Sequence, residues 1–362
     1  MTSPNTMIVG TRFRRRRPDR IAVGVSLLIM LVGITSGSNA QAIQEHVGEV
    51  VPRDVREMYD RGLHYLAKSQ TDDGDWHGAQ QGPGITGMAL MAFLASGEDP
   101  NFGIYSNPVH KALRSIIRQQ NGSTGFIGSS MYHHGFATLA LAEAYGTVDD
   151  RNLWPHGESG GRSIGSALEL AVRAAVTSQK KNSFGGWRYS PDANDADTSV
   201  SGAVLVSLLA ARNAGIEVPD EAIDRAISFY QSMTSDSGQV AYTGGIGGFD
   251  DSLARISIGS LVYAVARRKD VPQYKATIEN LKQRLDQMPG NYREYTEYYE
   301  AQALFQGDVK SWEKWNKLLV QQLKQQQQPD GSFIGDFGPD VSTSLSLLAM
   351  ALNYRFLPIY ER

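Results

Sequence analysis

Carboxylates and tyrosines are the side chains with which this chain could do chemistry, because it contains no cysteine. Asp195 and Asp197 flank Ala196 in Asn194-Asp195-Ala196-Asp197-Thr198, just ahead of an apolar run that begins at Val200. Either can act as a general acid if its surroundings keep it protonated. The competing role is structural. Asp197, Thr198 or Ser199 can cap the helix that follows, where the positive helix end favours a carboxylate. A capping Asp197 is expected to be ionised near neutral pH, held low by backbone amides and the helix dipole. Asp250, Asp251, Glu297 and Asp340 stand before or at the start of further helical runs. Asp250 and Glu297 would suit glycoside chemistry if the fold brings them face to face. The segment Tyr292-Arg293-Glu294-Tyr295-Thr296-Glu297-Tyr298-Tyr299-Glu300 sets aromatic rings beside carboxylates. At helical spacing Tyr292, Tyr295 and Tyr299 share a face. They serve either as platforms for a ligand or as packed core.

Other combinations are excluded or weak. Without cysteine there is no disulfide, no thiolate nucleophile and no cysteine-ligated zinc or iron–sulfur site. His133-His134 are adjacent, so on a helix they point about 100° apart, and no further histidine is near to complete a ligand set. No metal or cofactor is expected. Gly244-Gly245-Ile246-Gly247-Gly248 follows no strand, so it reads as a flexible turn rather than a dinucleotide fingerprint.

The elements that position these groups come from internal repetition. Arg61-Gly62-Leu63-His64-Tyr65-Leu66 leads through Gln70 to Asp73-Gly74-Asp75-Trp76. Lys111-Ala112 with Gln120 and Gly125-Phe126 repeats the unit, as does Arg225-Ala226 with Phe229-Tyr230 and Gly238. Gln327-Gln328-Pro329-Asp330-Gly331-Ser332-Phe333 repeats its ending, Gln179 with Gly185-Gly186-Trp187 is a looser copy, and Gly290-Asn291-Tyr292 is degenerate. Taking residues 76, 126, 187, 242, 292 and 333 as the six equivalent positions gives a spacing of about 51. Before each glycine lies an amphipathic helical stretch, such as Val55 to Ser69. After it comes a small, apolar one, such as Val200 to Ala214. An amphipathic helix buries one face and an all-apolar helix is buried all round. Six alternations predict twelve helices in six pairs, closed into an all-α (α/α)6 toroid with inner helices around an axis. No segment reads as a strand.

The residues Arg61-Gly62-x-x-Tyr65-Leu66-x-x-x-Gln70-x-x-x-Gly74-x-Trp76 resemble the QW motif of squalene and oxidosqualene cyclases. Pro329-Asp330-Gly331-Ser332-Phe333-Ile334-Gly335-Asp336 resembles the matching segment of protein prenyltransferase β subunits. The resemblance spans about residues 55 to 357 and implies the terpenoid cyclase and prenyltransferase α/α toroid. It implies that the glutamine caps a neighbouring helix end, that the tryptophan stacks beside it, and that a ligand lies in the central cavity near the inner helix ends. Residues 194–198 overlay the cyclases' Asp-x-Asp-Asp-Thr acid motif only imperfectly. In one register the acid is Ala196; in the other it is Asp197, with Thr198 in the place of an aspartate. Cyclases also place their site between two toroids, and this chain has length for one. The prenyltransferase zinc ligands are lacking: Ser342 stands where Asp340-x-Cys would be required, and no histidine follows His156.

The N-terminus reads as an address. Six arginines precede residue 43, opposed only by Asp19, and an uncharged stretch over 21–37 leads to Ala40-Gln41-Ala42. Residues 1–42 thus form an expected secretory signal cleaved after Ala42, with an uncleaved anchor over 21–37 as the alternative. Residues 43–54 form a linker and 55–362 a single toroid. Removing a segment of net +5 from a chain of −3 leaves a body of −8, which excludes nucleic acid as a partner. The expected function is that of an exported, monomeric toroid that binds an apolar or polyprenyl-like molecule, or a peptide, in its cavity without catalysis. The expected ligand set is Asp250, Asp251, Tyr295, Glu297, Tyr298, Tyr299 and Asp340. The alternatives are a divergent class II isoprenoid cyclase using Asp195 or Asp197, and a carbohydrate-active toroid.

Overall fold

The computed structural model describes residues 51–77, 81–155, 161–244 and 248–360. The expected signal, anchor and most of the linker lie outside the described residues, as do residues 245–247 of the glycine-rich turn. Among the described residues there are twelve α-helices, no β-sheet beyond isolated bridges, and no helix long and apolar enough to cross a membrane.

Odd-numbered helices form the outer layer: α1 (Arg53–Ser69), α3 (Ser106–Arg118), α5 (Ile164–Gln179), α7 (Asp220–Ser232), α9 (Pro272–Lys282) and α11 (Val309–Gln326). Even-numbered helices form the inner layer: α2 (Pro83–Leu94), α4 (Met131–Ala144), α6 (Thr198–Asn213), α8 (Leu253–Val265), α10 (Arg293–Gly307) and α12 (Pro339–Met350). The outer helices bury one stripe, for example Val55, Met58, Tyr59, Leu63 and Leu66 of α1, whereas every residue of α2 is buried. Each inner helix packs on the next, and α12 packs on α2, while α1 meets α11 and α12. The ring is therefore closed, as the repeat predicts.

The repeat residues are the staples of that ring. Gln70 Nε2 donates to Gly74 O within its own turn and, at 2.9 Å, to Pro108 O in the first turn of the next outer helix. Gln120 reaches Ala167 O, Gln179 reaches Ala222 O, and Gln327 reaches Met58 O at 2.8 Å, which joins the last repeat to the first. Carbonyls this close to a helix N-terminus already accept a helical hydrogen bond, so the glutamine uses their second lone pair and caps no helix end. The indole instead reaches back, Trp76 Nε1 to Leu66 O and Trp187 Nε1 to Ala175 O, both at 2.8 Å. In two repeats the buried residue after the glycine is aliphatic: Ile127 and Val240 are fully enclosed, while Phe126 and Tyr242 are only partly so.

The glycine of each good copy sits against the next outer helix in the left-handed region. Gly331, at φ +93°, would place a Cβ 2.3 Å from Arg61 O, the same approach that Gly74 makes to Lys111 O. Gly331→Ala is expected to lower stability by about 2 kcal/mol or more, through strain plus loss of the last-to-first contact. Chemical denaturation measures this, and an unchanged midpoint would remove Gly331 from the closure. The degenerate copy lacks the approach, since nothing lies near Gly290.

Two further features matter to the site. Helix α10 is buried from Glu294 to Gln306 although its sequence is polar. At the far end of the ring the C-terminal segment tucks in, with Leu357 and Ile359 buried and the Ile359 N–H facing the Glu143 carboxylate.

Candidate functional site

The loops that precede the inner helices meet one another, so the N-terminal ends of those helices gather at one end of the ring. Met131 N donates to Tyr189 O, Thr198 N to Tyr242 O, and Tyr292 N to the Asp336 carboxylate. This mouth holds most of the residues singled out from sequence.

Asp197 is the N-cap of α6. Its Oδ1 accepts from Val200 N at 2.8 Å, its own N–H donates to Trp187 O, and its side chain has no solvent exposure. The second oxygen, Oδ2, lacks a hydrogen bond and has Arg188 Nε at 3.7 Å. The cap reading holds, but the expected depression of its pKa does not. Burial outweighs the amides of Val200 and Ser199 and the Arg188 charge, and pushes the carboxyl up to about 6. Asp195 is half exposed and lies 3.4 Å from Arg188. The Arg188 and Arg255 guanidinium groups both stand over the Tyr242 ring, at 5.5 and 5.9 Å from its centre.

Asp250 and Asp251 are exposed on the rim, paired with Arg255 and Arg284 respectively, and Arg255 holds the Asp250 carboxyl below its usual range. Asp340 accepts from Tyr65 OH at 2.9 Å and so ties α12 to α1. Glu297 is buried on the outward face of α10, where its Oε1 accepts from Gln322 Nε2 of α11 at 2.7 Å. Asp250 and Glu297 thus face different surroundings, and the structure does not assemble them as a carboxylate pair. His134 is a cross-tie, taking the Ile127 N–H on Nδ1 and facing Ala171 O through Nε2, and burial pulls its pKa down to about 4. Ser130 supplies the α4 cap through His133 N. No group of acids and histidines among the described residues could hold a metal ion.

The tyrosines of α10 occupy the axis. Tyr295 meets Tyr132 and Tyr298 meets Phe136 of α4, the inner helix three places away around the ring, at centroid distances of 6.2 and 6.1 Å. Tyr295, Tyr298 and Tyr299 also pack on each other at 4.8–4.9 Å, all buried. Opposite walls touching through rings leave the axis filled at this level. Burial raises the pKa of all three hydroxyls. The mouth above carries exposed rings instead: Phe184, Tyr189, Phe249, and Tyr292 stacked on Phe337.

Sequence reasoning missed two parts of this arrangement. One is the Arg188–Tyr242–Arg255 stack, whose only signal is that Tyr242 falls near a repeat position. The other is Glu300, fully buried with neither oxygen in good hydrogen-bond geometry, and pushed up to about 8 by burial and Glu297, with a weak contact from the Trp315 indole N–H pulling the other way.

No protein-family model matches the chain, and no curated protein is similar to it in sequence. Among solved structures it is similar to the type II terpene cyclase MstE from Scytonema, in a variant bound to geranylgeranyl dihydroxybenzoate. That likeness has TM-score 0.58 and 15% identity, over 84% of this chain and 98% of the cyclase. It is also similar to a family 76 glycoside hydrolase from a bovine Bacteroides thetaiotaomicron strain, with TM-score 0.63 and 8% identity over 84% and 78%. A family 76 mannosidase from Bacteroides thetaiotaomicron VPI-5482 gives 0.57 and 10%, over 82% and 98%. The fold is the α/α toroid of the terpenoid cyclases, an architecture these glycoside hydrolases share. At such identities the likeness concerns the fold and not the chemistry.

Proposed function

We propose that the chain is an exported toroid that binds an apolar or polyprenyl-like molecule, or a peptide segment, at the mouth of the ring and does not transform it. The observation that carries this reading is the enclosure of Asp197. The carboxylate in the acid position is sealed between the loops at Trp187 and Tyr242 and engaged with α6, and the axis beside it is filled by tyrosines. An alkene cannot reach an acid with no exposed surface. The exposed rings at the mouth, with Arg188 and Arg255 beside them, offer flat apolar contact edged by polar groups. The prenylated ligand named for the cyclase structure supports the choice of ligand class.

The test incubates purified protein with geranylgeraniol and squalene, then looks for retained ligand by native mass spectrometry and for cyclised product in extracts. Intact ligand should be retained, with no product from the wild type or from Asp197→Asn. Turnover by the wild type that disappears in Asp197→Asn would overturn the binding reading. Asparagine is a good cap residue, so that variant should stay within about 1 kcal/mol of wild-type stability at neutral pH. Expression with the native N-terminus should yield a protein starting at Ile43. Retention of the arginine-rich segment would favour the anchor.

A further inference from the structure

Away from the mouth, a cavity of about 40 Å³ opens between α11 and the segment that joins α9 to α10. Its walls include Trp315, Leu318 and Leu319 of α11 and Met288 of the joining segment, with Glu297 and Gln322 as polar lining. Met288 and Leu318 are 60% and 41% exposed and form the entrance, while Trp315 and Leu319 are buried. Glu297 is only 2% exposed, and its Oε2 has no hydrogen-bond partner.

The charges around that oxygen are unbalanced. Arg293 stands 4.0 Å from Glu297 Oε1, but its NH2 is bonded to Glu294 at 2.5 Å. Glu294 on the same helix and Asp286 in the lining add two more carboxylates, while Glu300 beside Glu297 is a carboxyl that burial keeps protonated near neutral pH. From α11 the neighbours are neutral, Gln322 and Trp315. A buried, unanswered acceptor in a net negative cleft selects a cationic N–H donor. Apolar walls and an apolar entrance select a slender hydrocarbon stem behind it. The volume admits an ammonium head and roughly one or two methylenes, given that a single water needs about 10–15 Å³.

We propose that this cleft binds a primary ammonium group on an unbranched alkyl stem, as carried by a free alkylamine or a lysine side chain. The ammonium donates to Glu297 Oε2 once a rotation of the carboxyl brings this covered oxygen to the cleft wall, and the stem lies along Trp315, Leu318 and Met288. Burial, opposed by Gln322 and Arg293 and aided by Glu294, pushes the Glu297 carboxyl up to about 7. Only the ionised form answers a cation, so apparent affinity should rise about tenfold from pH 6 to pH 8.

Thermal-shift titrations of the folded protein test this with n-butylamine, 1-butanol and Nα-acetyl-lysine N-methylamide at matched ionic strength. A saturable upward shift is expected with the amine and absent with butanol, larger at pH 8 than at pH 6. Both Glu297→Gln, which removes the charge, and Leu318→Trp, which narrows the entrance, should abolish it while keeping the helical circular dichroism of the wild type. A response to butylamine alone assigns the site to free amines, and a response to the lysine derivative as well extends it to side chains. No shift, an equal shift with butanol, or an unchanged shift in Glu297→Gln would overturn the proposal.

Discussion

Raising the pH from 6.5 to 8.5 is expected to lower the stability of this protein by about 2 kcal/mol, and Glu300→Gln should remove most of that loss. Glu300 has no solvent exposure and no hydrogen bond of good geometry on either oxygen, and its carboxyl is pushed up to about 8 from an ordinary value of 4.5. The folded state therefore holds a proton that the unfolded chain releases. Stability from such a group is fully present below the unfolded pKa and is lost as pH rises through the folded one. Glu297, raised to about 7, and Asp197, raised to about 6, act in the same direction but finish earlier. His134 acts oppositely. Its folded pKa is depressed to about 4, so its contribution is present above the ordinary histidine value near 6.5 and is lost on acidification. Below pH 6.5 the one histidine offsets only part of the loss from the three carboxyls. Above it Glu300 dominates, over about 1.5 pH units at roughly 1.4 kcal/mol per unit. The buried tyrosines, raised above 10, enter only at higher pH. Urea titrations at half-unit pH steps measure the profile. Glu300→Gln keeps the shape of the protonated acid and does not titrate, so it should match the wild type only near pH 4.5 and below, exceed it by about 2 kcal/mol at pH 6, and exceed it by about 2 kcal/mol more at pH 8.5. A flat or rising wild-type profile over this range would mean that Glu300 is ionised in the fold.

The ring was legible in the sequence because its staples are sequence-local. Glutamine, glycine and aromatic recur at nearly fixed offsets, the first two acting against the next outer helix and the third against its own, so counting copies counts helix pairs. The cap at Asp197 was legible for the same reason, since a helix start depends on the next three residues. What was not legible depends on distant chain. The pKa of Asp197 turns on the loops at Trp187 and Tyr242 folding over it, and a local reading sees the amides that lower it but not the burial that raises it. Matching repeats by aromatic identity selected Phe126 and Tyr242, whereas the buried slot takes Ile127 and Val240, because enclosure asks for apolar volume and not for a ring. Helix α10 is the hardest case. Arg293-Glu294-Tyr295-Thr296-Glu297 has the composition of a solvated face, and only its place as the fifth inner helix shows that it is buried all round. Its tyrosines fill the axis instead of lining an open cavity, and its Glu297 turns toward α11. The rim acids Asp250 and Asp251 were recognised as a group, but their arginine partners come from inside α8 and from beyond α9.

Trp76→Ala is expected to be the most damaging single substitution, at about 3–5 kcal/mol, with no specific effect on ligand held at the mouth. The indole is fully enclosed, packs 6.0 Å from the Phe93 ring of α2, and donates to Leu66 O in the last turn of α1. Truncation opens a cavity where an outer helix, an inner helix and their connecting turn meet, a junction fixed on the other side by the Gln70 bond to α3. Collapse into that space would pull the turn away from Pro108 O, so relaxation is limited and the cost stays near the upper end for a large ring. Trp76→Phe separates the two contributions. It keeps most of the apolar area and loses the N–H to Leu66 O, a change of about 1 kcal/mol, and Phe333 already occupies the corresponding slot in the last repeat. The measurement is urea denaturation of the three proteins, with ligand retention assayed well below the transition. A Trp76→Ala protein that keeps its midpoint but no longer retains ligand would move Trp76 from the scaffold to the binding surface. Equal losses for alanine and phenylalanine would show that the hydrogen bond to Leu66, and not the buried ring, holds the junction together.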